Sequence, residues 1–345
     1  MNTRVDNEVS IGIAETGVYV PPGVETAADM AKQTGIPEEV IRQKFGLVQK
    51  HVADESMHAS DMAIAAARPI LERIDPLEID VVIYYGSPHK DYPVWSCAPK
   101  IQHALGAKNA YAFEIMNVSS CFPIALKVAK DMLAADRSIR TILLAGGCKE
   151  SQIIDYQNPR SRFMFNFADG GAAALVKRGE TGNRILGSGF LTDGSFYDDV
   201  KVPAGGSAMP ASFDTVRNRL HAIDVRDPAD MKERLDSVSI PNFIAAVEKA
   251  IANSGYRVGD IDWLLPLHTK RSMFRQLLQG LGLSEQQAVY LDEYGHMSAL
   301  DPCFGFHLAK NRFQPGDLIV TVSAGTGYTW AATAILWEGA SVNGL

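Results

Sequence analysis

Cys121 follows the strand-like run YAFEIMNV and the pair Ser119-Ser120, and it opens an apolar-periodic helix. A helix start carries unpaired N–H groups and the positive end of the macrodipole, both of which favour an anion. The sequence therefore predicts a thiol with a lowered pKa and thiolate character. His268 stands just beyond a strand in LLPLHTK, and His296, in EYGHMSA, precedes another helix. Gly325-Thr326-Gly327 forms a tight turn whose N–H groups can face a developing oxyanion. A thiol, two imidazoles and such a turn are the parts that thioester-forming acyl transfer requires.

The remaining cysteines, Cys97, Cys148 and Cys303, read as small core hydrophobes. Cys303 is the rival nucleophile because it lies near His296, but it follows a proline inside its helix rather than a strand–helix junction. A zinc site from His268, His296 and a cysteine lacks the paired ligand spacing such sites show. The other histidines, His51, His58, His89, His103, His221 and His307, read as surface or packing residues.

Positioning these groups requires an α/β framework, because strand-like runs alternate with helix-period segments throughout. Strands are expected at 81–85, 111–118, 141–145, 172–176, 263–265, 288–291, 318–322 and 331–336, and helices at 60–73, 121–135, 240–254, 272–281 and 302–311. Residues 63–90 echo residues 243–270: an Ala-rich helix, a turn, an Ile-Asp pair and a hydrophobic strand ending in a polar loop. A second echo pairs the Cys121 helix with the Cys303 helix, each leading to a strand and a Gly-rich turn. Two copies in one order indicate a duplicated α/β half, with halves 1–180 and 181–345 and a seam near 179–183.

The chain has 345 residues, 46% hydrophobic and 21% charged, with a net charge of −7. That composition excludes wholesale disorder. A mildly acidic chain without basic blocks is poorly suited to nucleic acid or anionic membranes. Four dispersed cysteines, no apolar leader in MNTRVDNEVSIGIAETG and no membrane-length apolar run point to a cytoplasmic protein. GxGxxG is absent, and no cofactor or metal is expected.

The motifs GVYVPPG at 17–23, SDMAIAAA at 60–67, KIQHALGAKNAYAFEIMNVSSCF at 100–122, FADGGAAALV at 167–176 and TDGS at 192–195 occur in that order. DWLLPLH at 262–268, EYGHMSA at 293–299 and QPGDLIVTVSAGTGYTW at 314–330 follow. Together they resemble the β-ketoacyl-acyl-carrier-protein synthase III-like enzymes of the thiolase superfamily. The resemblance implies a duplicated five-layered α/β/α/β/α thiolase-like fold, a homodimer, and acyl-CoA or phosphopantetheine-bearing acyl-carrier protein as substrates. It implies that Cys121 accepts the acyl group and that the backbone amides of Cys121 and of Thr326, in the Gly325-Thr326-Gly327 turn, form an oxyanion hole. His268 would assist condensation with malonyl-carrier protein.

His296 occupies a position where relatives commonly carry Asn. It could donate a hydrogen bond in decarboxylative Claisen condensation, or act as a base for transfer to an alcohol or amine. A third reading, outside catalysis, is an acyl-binding partner subunit, which the retained Cys121 disfavours. Val40 replaces a Trp that stacks on the CoA adenine in relatives. Arg42, Lys44, Lys270 and Arg271 are candidates for meeting the phosphopantetheine or an acidic carrier. Tyr92 matches a segment that reaches across a dimer interface in relatives, and Phe163 and Phe165 are candidates for an acyl pocket alongside Met164 and Phe167.

Overall fold

The computed structural model describes residues 9–339, so part of the N-terminal stretch read for leader character lies outside the described residues. Nine strands form one continuous sheet. They are β1 (Ile11–Tyr19), β2 (Val81–Tyr84), β3 (Tyr111–Glu114), β4 (Thr141–Lys149) and β5 (Asp169–Arg178), followed by β6 (Asn183–Thr192), β7 (Trp263–Pro266), β8 (Leu318–Gly325) and β9 (Thr329–Trp337). Their order is β7-β8-β9-β6-β1-β5-β4-β2-β3. The β1–β6 pairing, through Gly12 and Arg184, joins two arrays of the same design. On one side β3, β2 and β4 run parallel while β5 and β1 are antiparallel. On the other, β7 and β8 are parallel while β9 and β6 are antiparallel.

The counterpart of β3 is reduced to a single parallel bridge between Leu264 and Ala288. Residues 288–291 were expected to form a strand, and they do not. The backbone just beyond them is engaged elsewhere: Asp292 O accepts from Val48 and Gln49, and Tyr294 O accepts from His51. The chain thus leaves the sheet to pair with the short hairpin of Gly23–Thr26 and Gln49–Val52.

Six helices complete the layers: α1 (Ala59–Ala67), α2 (Cys97–Ala104), α3 (Cys121–Ala135), α4 (Pro228–Ala252), α5 (Arg271–Leu281) and α6 (Asp301–Ala309). Helix α1 covers β4 and β5, and α4 covers β6 and β9 on the other outer face. Helices α3 and α6 form the middle layer and touch strands of both arrays. Their burial follows from sequence: Ala125, Leu126, Ala129 and Leu133 repeat at helical spacing along α3, and all are buried. In α6, Pro302 at the first turn suits a position whose N–H needs no helical partner.

Two helix boundaries differ from expectation. α1 ends at Ala67 and tightens into a 3-10 turn, Arg68–Glu72, because Pro69 cannot supply the next N–H. α4 begins well before residue 240, at Pro228. Asp227 caps it by accepting from Ala229 and Asp230, and the helix accommodates Pro241 within its length.

Candidate active site

The segment before α3 contains a strained residue. Val118 has φ 48°, a left-handed conformation costly for a β-branched side chain. It starts the 3-10 turn Val118–Ser120 and hands the chain to Cys121. The β8–β9 turn packs directly on this segment. A Cβ on Gly325 would meet Asn117 O at 2.5 Å and Ser120 Oγ at 2.8 Å, so only glycine permits that approach. Ser323 Oγ donates to Ser119 O at 2.5 Å and ties β8 to the same turn. Thr326, in this loop, is not among the residues with left-handed φ, so the threonine is accommodated without backbone strain.

Cys121 is fully buried, and its thiol donates to Ile115 O at 3.2 Å. Burial pushes its pKa up to about 12, contrary to the lowered value expected from the helix start. Loss of hydration outweighs the dipole at this depth, so the resting residue is a thiol. Its amide donates to Val118 O within the 3-10 turn. Cys303 is also buried, with its sulfur 3.7 Å from Ala173 O and its pKa likewise raised by burial to about 12.

Both histidines converge on Asp301, the first residue of α6. Asp301 Oδ2 accepts the backbone N–H of His268 at 2.7 Å and lies 2.5 Å from His296 Nδ1, while Oδ1 accepts Met297 N–H at 2.7 Å. These donors, with the helix start, compensate a carboxylate that is completely buried. His296 Nε2 lies 3.0 Å from Ser119 Oγ, which carries the cluster across to the Cys121 turn. The ring of Phe167 packs against His296, 5.1 Å between centroids.

The two imidazoles are tuned in opposite directions. Burial drives His268 down to about 4 despite the attraction of Asp301. It is therefore neutral, and its tautomer is fixed by its neighbours. Gly46 O, 3.2 Å from Nε2, can only accept, so Nε2 carries the hydrogen and Nδ1 accepts from Asn166 Nδ2 at 3.0 Å. Burial also opposes the charged form of His296, but the charge and hydrogen bond of Asp301, with Glu150, outweigh it and hold the pKa above the ordinary value.

Asn166 serves both histidines: its side chain donates to the His268 ring, and its backbone carbonyl accepts the backbone N–H of His296 at 2.8 Å. Its own position is fixed by Lys50, a buried ammonium that donates to the carbonyls of Phe165 and Phe167 at 2.9 and 2.8 Å and pairs with Glu25 at 3.3 Å. Ser119, Asn166, Asp301, Gly46 and Lys50 were not singled out from sequence. Asp301, five positions beyond His296, carried the one available signal: an acidic residue opening a largely apolar helix.

A pocket of ≈ 480 Å³ opens beside this cluster, lined by Arg42, Gly46, Arg271, Arg275, Tyr290 and Asp292 among others. Gly46 is thus shared: it lines the pocket, and its carbonyl faces His268. Its φ of 69° and the proximity of Tyr290 OH, 1.7 Å from where a Cβ would lie, both require glycine. Arg271 stacks on Tyr290 at 4.4 Å and pairs with Glu285 at 2.6 Å, while Arg42 pairs with Glu38 at 2.8 Å. Lys44 and Lys270 are exposed and are not part of that lining.

The aromatic candidates separate. Phe163 is 42% exposed, whereas Phe165 is buried in a small cluster with Ala27, Met30, Ile41 and Leu47. Those two side chains do not share a pocket wall. Tyr92 is 62% exposed and meets only the edge of Trp95 among aromatic partners.

A duplicated α/β body that brings a cysteine-bearing helix start together with two imidazoles defines a thiolase-type condensing enzyme. Two family models match: 3-oxoacyl-[acyl-carrier-protein] synthase III over residues 113–194, and the C-terminal region of 3-oxoacyl-[acyl-carrier-protein] synthase III over residues 251–337. The chain is 32% identical to a β-ketoacyl-[acyl-carrier-protein] synthase III of Caldanaerobacter subterraneus subsp. tengcongensis, covering 96% of this chain and 99% of the relative. A Desulfitobacterium hafniense protein of the same name is 30% identical, with 96% and 98% covered. Among solved structures, 3-oxoacyl-[acyl-carrier-protein] synthase III from Aquifex aeolicus VF5 superposes with a TM-score of 0.80 at 24% identity, covering 95% of this chain and 100% of that one. The chain belongs to the β-ketoacyl-[acyl-carrier-protein] synthase III family, whose members are acyltransferases of the condensing type.

Proposed function

We propose that the protein joins an acyl thioester to malonyl-carrier protein by decarboxylative Claisen condensation through an acyl-Cys121 intermediate. The observation that carries this reading is the Asp301 carboxylate, which holds His268 and His296 in one cluster next to the Cys121 turn. Cys121 attacks the acyl thioester as its thiol proton is released, to be taken up by the departing donor sulfur. The C–S bond to the donor breaks, and the donor leaves as a free thiol. The charge on the tetrahedral oxygen falls to the Cys121 and Thr326 amides, the former exchanging its bond to Val118 O for the substrate.

Malonyl-carrier protein then enters. The Nε2–H of His268 and that of protonated His296 donate to its thioester carbonyl, exchanging their present partners for the substrate. The bond to the carboxylate breaks, CO₂ leaves, and the electron pair becomes an enolate held by these donors. Its carbon attacks the Cys121 thioester, the C–S bond breaks, and the Cys121 thiolate recovers a proton. The product is a 3-oxoacyl thioester.

The pocket at Gly46 supports a pantetheine route, because its lining reaches the residue that faces His268. Arg42 and Arg271 would meet phosphate or an acidic carrier there, with Lys44 and Lys270 as further exposed charge nearby. The exposed Tyr92 segment supports a homodimer in which it reaches the partner. Among the described residues no helix is long and apolar enough to cross a membrane, in keeping with a cytoplasmic role.

The test is incubation with acyl-CoA and malonyl-carrier protein. CO₂ release with a chain-extended 3-oxoacyl product, both lost in Cys121→Ala, supports the reading. Acyl transfer to an alcohol or amine without CO₂ would replace it.

A further inference from the structure

Ser119 Oγ, His296 Nε2, His296 Nδ1 and Asp301 Oδ2 form a continuous line, 3.0 Å on the serine side and 2.5 Å on the carboxylate side. This is the connectivity of a hydroxyl nucleophile, its base and the acid that orients the base. The serine is set up by its backbone. It follows the strained Val118 in a turn between strand β3 and helix α3, and its own carbonyl is held by Ser323 Oγ at 2.5 Å. Strain that the surrounding structure enforces commonly marks a residue aimed for chemistry. The condensation described above uses His296 and leaves this hydroxyl without a role.

We propose that Ser119 is a second acyl acceptor, taking an acyl group from a thioester donor to form an oxyester two positions before Cys121. The inference rests on the acyl-thioester reading of the site. The Oγ lone pair attacks the thioester carbonyl carbon, forming a C–O bond. The Oγ proton passes to His296 Nε2, the C–S bond breaks, and the departing thiolate takes that proton to leave as a free thiol. No oxidant, reductant or metal enters the balance. Asp301 keeps the Nδ1–H in place and stabilises the imidazolium that forms in between.

The groups facing His296 set the pH dependence. Asp301 and Glu150 favour its charged form, while burial disfavours it, with the net effect upward. Neighbouring His268 is neutral down to about pH 4. Glu150 is itself fully buried and pushed up by that burial. Serine acylation therefore rises with pH as His296 loses its proton above its ordinary value of 6.5.

The test uses hexanoyl-CoA as donor, with peptide mapping before and after neutral hydroxylamine, which cleaves thioesters and spares oxyesters. A hydroxylamine-resistant hexanoyl group on Ser119 is expected in the wild-type enzyme and in Cys121→Ala, and none in Ser119→Ala. In Asp301→Asn the ratio of Ser119 to Cys121 modification falls about tenfold or more, as expected when a base loses its orienting partner. Acyl groups confined to Cys121, with Cys121→Ala unmodified, would overturn the proposal and leave the condensation reading intact. Absence of any adduct on the wild-type enzyme with several donors would overturn both.

Discussion

The carboxylate of Asp301 stands 2.5 Å from His296 Nδ1, and the same oxygen accepts the backbone N–H of His268. One buried charge therefore fixes the ring of one histidine and the backbone of the other. It also separates their protonation: it outweighs burial at His296 and fails to do so at His268. Between about pH 4 and pH 6.5 the site thus presents one imidazolium and one neutral imidazole, each able to donate through Nε2.

Replacing Asp301 by Asn removes the charge while keeping the shape. His296, left with burial opposed only by the more weakly acting Glu150, then falls below its ordinary pKa instead of lying above it. Condensation should drop about 100-fold at pH 7, in line with the loss of an oriented acid–base group. A downward shift of the His296 titration by NMR checks the cause, and an unchanged titration would refute it.

His296→Asn keeps a side-chain N–H donor and gives up the titration. Condensation should persist within about tenfold of wild type, whereas His296→Ala should lose roughly 100-fold, the scale of a lost transition-state donor. The wild-type rate should decline as pH rises through the His296 pKa, because the neutral ring keeps its proton on Nδ1 toward Asp301. That alkaline decline should vanish in His296→Asn. Its persistence would assign the titration to another group.

The buried histidines also mark stability. His268 has a folded pKa of about 4 against 6.5 when unfolded, so the unfolded chain binds the extra proton between those values. The contribution is complete above pH 6.5 and is lost as pH falls toward 4, about 3 kcal/mol in all. His296 has the opposite sign: its contribution is present below pH 6.5 and fades as pH rises through its higher folded pKa. Urea midpoints from pH 4 to 7 should fall on the acid side, and His268→Asn should flatten that fall.

Gly325→Ala places a methyl 2.5 Å from Asn117 O. The β8–β9 turn must withdraw from the Cys121 turn, at a stability cost of about 1–3 kcal/mol for overpacking. Cys121 acylation should slow more than the loss of folded protein explains. Calorimetry with single-turnover acylation separates the two effects.

The framework was legible in sequence because its signals are local and repeated. Helix α3 matches its expected bounds, Cys121–Ala135, and the two echoes correspond to strands and helices that take equivalent places in the two arrays. The strand expected at 288–291 was not, because its fate depends on backbone bonds that Val48, Gln49 and His51 supply from far away in the chain. Cys121, His268 and His296 announced themselves by residue type at strand and helix ends. Their chemistry did not, since the raised thiol pKa comes from burial and the split between the imidazoles from how far Asp301 and Glu150 offset burial at each ring. Asn166 sits in an aromatic run with nothing local to mark it, and only the fold brings it to His268.

The most direct measurement is a single-turnover chase. The enzyme is loaded with a labelled acyl group, freed of donor, and mixed with malonyl-carrier protein. Label should leave Cys121 and appear in 3-oxoacyl-carrier protein, with one CO₂ released per group transferred. Label recovered as free acid, or as an ester or amide without CO₂, would contradict the proposed condensation.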